Sequence, residues 1–228
     1  MKPKILLSWS SGKDSAWTLH VLRQSKRWNI TGLVTTVNTA FSRVSMHGVR
    51  EELLEQQAQA VRLPLWKVPI PYPCPNEAYE SAMRELITRA KEAGVTHFAF
   101  GDLFLQDVRD YRERQLAGTG VTAVFPLWGI DTAKLAHEMI ASGLRATITC
   151  VDPQQVPASL IGREFDEMLL KELPPSADPC GENGEYHTFC HAGPMFAHSI
   201  PVQTGEVVKR DGFVYVDLLS TTPYPHNS

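Results

Sequence analysis

Residues Lys4 to Ser15 read K-I-L-L-S-W-S-S-G-K-D-S. The apolar run Ile5-Leu6-Leu7 predicts a buried strand, and the Ser/Gly cluster after it predicts a tight turn. From Asp14 to Trp28 the pattern is helical. A strand that turns sharply into a helix start presents backbone N–H groups and the positive end of the helix dipole to the loop, which favours an anion there. Ser10, Ser11 and Ser15 add hydroxyl groups, and Lys13 adds a point charge. The loop therefore reads as a phosphate site. It is not the G-x-x-x-x-G-K-[ST] loop, because Gly12-Lys13 is followed by Asp14.

Outward from this stretch, strand and helix patterns alternate. Further strands are expected over Gly32–Val37, Leu65–Ile70, His97–Gly101 and Thr122–Phe125. Helices are expected over Val49–Val61, Asn76–Ala93 and Gln106–Ala117. Such alternation implies an α/β fold, a five-stranded parallel sheet with helices on both faces. Ligands then bind beyond the carboxyl ends of the strands, where the first loop lies and where Gly101-Asp102 should also lie. After Pro126-Leu127-Trp128 the character changes. A helix over Thr132–Ser142, a strand over Arg145–Val151 and a helix near Glu164–Lys171 are expected. A turn-rich segment to about Gly193 follows, and then antiparallel strands around the Asp211-Gly212 turn. This divides the chain into residues 1–128, the domain with the phosphate loop, and residues 129–228, a smaller α+β lobe over the sheet edge.

The 228 residues carry a net charge of -3, which counts against a general nucleic-acid binder. No apolar run approaches the ~20 residues that span a bilayer, and the start of the chain does not read as a signal peptide, so cytoplasm is the expected location. The four cysteines lack a C-x-x-C pair and read as reduced thiols. Cys180, His187, Cys190 and His191 crowd together, but their spacing fits no standard zinc site, and no protein-held metal is expected.

Residues Asp178 to Cys190 read D-P-C-G-E-N-G-E-Y-H-T-F-C. Glycines, carboxylates, an amide, an imidazole and a hydroxyl fall within a few positions, between aromatic residues that look like anchors. The first loop resembles the S-G-G-x-D-S loop of the PP-loop ATP pyrophosphatases, with Ser11 in place of the first Gly. With G-D after the fourth strand, P-L-W at the boundary and G-E-N-G-E-Y-H-T near the end, the chain resembles the diphthine–ammonia ligase family over nearly its whole length. In the eukaryotic and archaeal members the late segment reads closer to G-E-G-G-E-[FY]-E-T. Asn183 and His187 depart from it and resemble the bacterial branch, which leaves the acceptor open.

The resemblance implies a Rossmann-like fold and an ATP-dependent amidation. A carboxylate acceptor, either a small molecule or a modified protein side chain, is adenylated, pyrophosphate leaves, and ammonia or another amine displaces AMP. It implies that Ser10, Ser11, Gly12, Lys13 and Ser15 hold the β and γ phosphates, with Mg²⁺ bridging phosphate oxygens and Asp14 capping the helix. Gly101 and Asp102 face the same edge. Val37 and its neighbours flank the adenine or ribose, with Met46 and His47 lining the same pocket. Tyr111, Arg112 and Arg114 lie toward the α phosphate; for Arg114 a solvated helix face is an equal reading. Glu182, Asn183, Gly184, Glu185, His187 and Thr188 recognise acceptor or amine, with Glu185 or His187 taking a proton from ammonium. The competing readings are an ATP-binding module of the universal-stress-protein type and a PP-loop tRNA-modifying enzyme. A homodimer is compatible with the sequence.

Overall fold

The computed structural model describes residues 1–40, 43–44 and 48–221. Strand β1 (Lys4–Ser8) is the centre of the first sheet. Side chains alternate along a strand. Ile5 and Leu7 therefore enter one core cluster and Leu6 the other, and all three are fully buried. Around β1 lie β2 (Asn29–Asn38), β4 (Leu65–Ile70), β5 (Val95–Ala99) and β6 (Thr122–Val124), all parallel, in the order β4-β2-β1-β5-β6. A two-residue strand, β3 (Arg43–Val44), pairs antiparallel with the end of β2.

Helices α1 (Lys13–Ser25) and α2 (Glu51–Val61) pack on one face of this sheet, and α3 (Asn76–Glu92) and α4 (Gln106–Leu116) on the other. The expected parallel sheet with two helical layers is thus present, with β3 as an addition. From β1 the chain steps one way to β2 and β4, then crosses to β5 and β6. The crevice between β1 and β5 is the switch point at which α/β proteins bind ligands.

Beyond β6 come α5 (Thr132–Ala141), β7 (Arg145–Val151), a short 3₁₀ turn (Ala158–Leu160), α6 (Glu167–Glu172), β8 (Tyr186–Ala192), β9 (Val202–Arg210) and β10 (Phe213–Ser220). The strands form a second sheet, antiparallel throughout, in the order β8-β7-β10-β9. Two expectations need correction here. Helix α6 starts at Glu167, because Asp166 caps it by accepting from Leu169 N–H, while Glu164 is drawn into a bridge with Thr147 on β7. The segment ending near Gly193 is not turn throughout. Its second half is strand β8, whose Thr188, Phe189 and Cys190 are all buried.

One core cluster runs from α1 and α2 through β8 and β7 to α5 and α6, so the second sheet closes over the first loop. Among the described residues no helix is long and apolar enough to cross a membrane.

Candidate active site

Gly12 ends the first loop and is the N-cap of α1, without a side chain to cap it. The cap comes from far along the chain: the Thr188 hydroxyl on β8 accepts from Lys13 N–H at 3.1 Å. Asp14 does not cap, contrary to the sequence reading. It sits inside the first turn, and its carboxylate takes the Lys13 ammonium at 2.9 Å.

That ammonium does not lie in an open loop. It also donates to the Cys180 carbonyl and stands 5.5 and 5.4 Å from the ring centres of Phe165 and Tyr186. Lys13 is only 2% exposed. Burial pushes its pKa down, but Asp14, Cys180 and Glu182 outweigh burial and hold it above the ordinary lysine value. Lys13 is therefore a charged peg between the two halves of the site.

The loop backbone is held just as firmly. Gln57, fully buried on α2, donates to the carbonyls of Ser11 and Cys190 and accepts from the Trp9 indole. Cys190 N–H donates to Ser11 C=O. Ser11 itself adopts φ +72°, fully buried, with a hydroxyl that has no partner among the described residues. This is the position at which the PP-loop pattern has Gly. A side chain in the left-handed region costs about 1–2 kcal/mol. Ser11→Gly is therefore expected to stabilise the protein by about 1 kcal/mol, read as a higher denaturant midpoint at unchanged slope.

Ser10 leads from the loop into a cleft of about 450 Å³ at the carboxyl ends of the strands. Val34, Thr35 and Thr36 of β2, Ile70 of β4, Phe98 of β5 and Phe100 just beyond it form its floor, with Tyr79 and Met83 of α3 and Arg112 of α4 beside them. Larger openings exist elsewhere, at the amino edge of the first sheet and along the second, but they lie away from the loop. Arg112 lies 5.0 Å from the Phe100 ring centre and 3.6 Å from an Asp102 oxygen. That oxygen has no hydrogen-bond partner among the described residues. Burial raises the Asp102 pKa, against the pull of Arg112.

Across the crevice, Glu182 accepts from Leu103 N–H at 2.8 Å. Burial, with Asp14 and Asp102 nearby, brings its pKa up to about 7. Asp14, Asp102 and Glu182 thus share one electrostatic neighbourhood in which a proton can be held near neutrality. The turn carrying Glu182 is shaped by Asp178, whose carboxylate accepts from Cys180 N–H and Glu182 N–H.

Residues 1–122 match the family model for the diphthamide synthase N-terminal domain, and residues 131–219 match that for the C-terminal domain. The chain belongs to the diphthamide synthase family. Among curated relatives, it is 28% identical over 176 residues to a diphthine–ammonia ligase of Bos taurus, covering 70% of this chain and 66% of that protein. It is 37% identical over 103 residues to one of Danio rerio, covering 42% of this chain and 40% of that protein. A diphthine–ammonia ligase of Schizosaccharomyces pombe is 33% identical over 94 residues, which are 40% of this chain and 16% of that one. The chain thus spans less than two thirds of each of these relatives.

Several residues singled out by their order in the sequence have positions of another kind. Val37 is packed in the larger core and does not line the cleft. Gly101 lets β5 approach α1: a Cβ there would lie 3.1 Å from the Asp14 carbonyl carbon. Glu185, 1% exposed, braces the turn with one oxygen, which accepts from Asp178 N–H and the Asn183 amide; its other oxygen has no hydrogen-bond partner among the described residues. Burial holds His187 down to about 4, so it is neutral and a weak base. Thr188 caps α1. Gly184 has φ +86° in open space.

Arg114 is exposed, while Tyr111 is half-buried on α4 and outside the cleft lining. Ser10 and Ser15 bring their hydroxyls within 3.3 Å of each other beside the loop. Met46 and His47 lie outside the described residues. Gln57 and Asp178 were missed. Gln57 reads as one more polar residue of E-Q-Q-A-Q, whereas Asp178 before Pro179 carried a usable turn signal.

Proposed function

We propose that the chain is an ATP-dependent, cytoplasmic carboxylate–ammonia ligase that works through an acyl-adenylate. The observation that carries this reading is the convergence of the first loop, the Glu182 turn and the cleft on one sheet edge. Residues 1–128 serve as the ATP-binding part, and residues 129–228 supply the acceptor side.

Adenosine enters the cleft, with the base against Phe100, Met83 and Val34. The phosphates extend past Ser10 toward Gly12 and Ser15. Arg112 stands where charge develops on the α phosphate. The acceptor carboxylate oxygen attacks the α phosphorus, the α–β P–O bond breaks, and pyrophosphate leaves. Ammonia then adds its lone pair to the acyl carbon, and AMP departs with the electrons of the anhydride bond. Ammonium first reaches a site rich in carboxylates, and Glu182, tuned near 7, takes its proton. Glu182 replaces Glu185 and His187 in the role the sequence offered them.

Magnesium fits only as a companion of the nucleotide. Among the described residues no three acid, histidine or cysteine side chains are grouped to hold a metal ion. No step is routed through it.

The test is the identity of the nucleotide product. With Mg²⁺, ATP, ammonium and a fractionated pool of carboxylates and proteins, acceptor-dependent AMP and pyrophosphate are expected. ADP would overturn the mechanism. Tight ATP binding without turnover under every acceptor would instead identify a nucleotide-binding module.

A further inference from the structure

Strand β9 forms one end of the second sheet, and no strand among the described residues pairs with its outer side. It is long for an edge strand, at 9 residues, and carries Val207 and Val208 at 52% and 43% exposure. Long exposed edges with apolar side chains invite pairing with another chain.

The register of β9 can be read from its hairpin. Asp211 and Gly212 both have positive φ, 53° and 87°, which is a two-residue primed turn closed by Arg210 opposite Phe213. The closing pair of such a hairpin exchanges both backbone bonds, and bonded and non-bonded pairs then alternate. Arg210 and Val208 therefore turn their backbone groups toward β10. Val207 and Lys209 turn theirs to the free edge.

We propose that this edge pairs with the same edge of a second copy of the chain, antiparallel about a two-fold axis through Val208. A two-fold axis normal to the sheet keeps each residue on its own face, so the pairing must centre on a residue. Centring on Lys209 sets two ammonium groups against each other. Centring on Val207 leaves Glu206 opposite valine. Centring on Val208 sets Glu206 opposite the partner subunit's Arg210, twice by symmetry, and Val208 opposite its own copy. The free backbone groups of Val207 and Lys209 then meet those of the partner subunit's Lys209 and Val207.

Glu206, Val208 and Arg210 already line one pocket with Tyr215, and Arg210 lies 5.0 Å from the Tyr215 ring centre. The groups that would cross the interface thus share one face. The antiparallel four-stranded sheets of two copies become one continuous sheet.

Sedimentation equilibrium over a concentration series tests this, with circular dichroism to verify folding. The full chain is expected to show a dimer. Val208→Lys, Glu206→Arg and Arg210→Glu should each weaken association by roughly tenfold or more. The double variant Glu206→Arg/Arg210→Glu, or an equimolar mixture of the two single charge variants, should restore it. A monomer at all concentrations would overturn the proposal. So would a dimer indifferent to these variants, or charge reversal that fails to rescue.

Discussion

Lys13→Ala is expected to lower stability by about 3–5 kcal/mol, the range for breaking a buried ion pair by removing one partner. The Asp14 carboxylate would be left beside Asp102 and Glu182 without its own ion-pair partner. The Cys180 carbonyl would lose its donor, and a void would open between Phe165 and Tyr186. Lys13→Met refills the volume without the charge. It should recover the packing part of the loss only. The measurement is urea denaturation of both variants against the parent chain. A variant with parental stability that has lost turnover alone would show that the ammonium serves the phosphates instead.

The second large effect concerns Glu182. Glu182→Gln keeps the hydrogen bond from Leu103 N–H but holds no exchangeable acid. Turnover should fall by about 10²–10⁴-fold, as for loss of a general base, with nucleotide affinity little changed. In the parent chain kcat should rise with pH through a limb near 7, the pKa to which burial brings this group. The variant should lack that limb.

The same titration affects stability with a fixed sign. Glu182 is protonated in the fold and ionised in the unfolded chain between 4.5 and about 7. The unfolded state binds fewer protons there, so this group's contribution is full below 4.5 and declines as pH rises through 7. Glu182→Gln should flatten that part of the stability profile. A parent profile rising over the same interval, with no change in the variant, would remove Glu182 from the scheme.

The parallel sheet was legible because its strands announce themselves locally. Lys4–Ser8 and Leu65–Ile70 have the limits that their apolar runs and flanking turns suggested, as does Arg145–Val151 of the second sheet. Strand β8 was hidden by the Pro- and Gly-rich stretch before it. Its own His, Thr and Cys residues suggest chemistry more than pleat. The loop was recognisable as a motif, but the destination of its lysine was not, since Cys180, Phe165 and Tyr186 approach it only through tertiary packing.

The acids of the late segment were legible as a group, though not in their roles. Which of Glu182 and Glu185 braces the turn and which faces the crevice depends on a turn geometry fixed by Asp178 and by Gly181 at φ +70°. Composition gives no access to that.

The staples on the loop have a consequence for how the protein comes into being. Ser11 C=O is held by Cys190 N–H and Gln57, and Lys13 N–H by Thr188. A ribosome emits the loop 175 residues before the Thr188 hydroxyl that caps it. Domains commonly fold in order of emergence, yet this loop must wait. The nascent chain should acquire nucleotide affinity late and abruptly, once β8 has left the exit tunnel, and truncated translation products should remain without it.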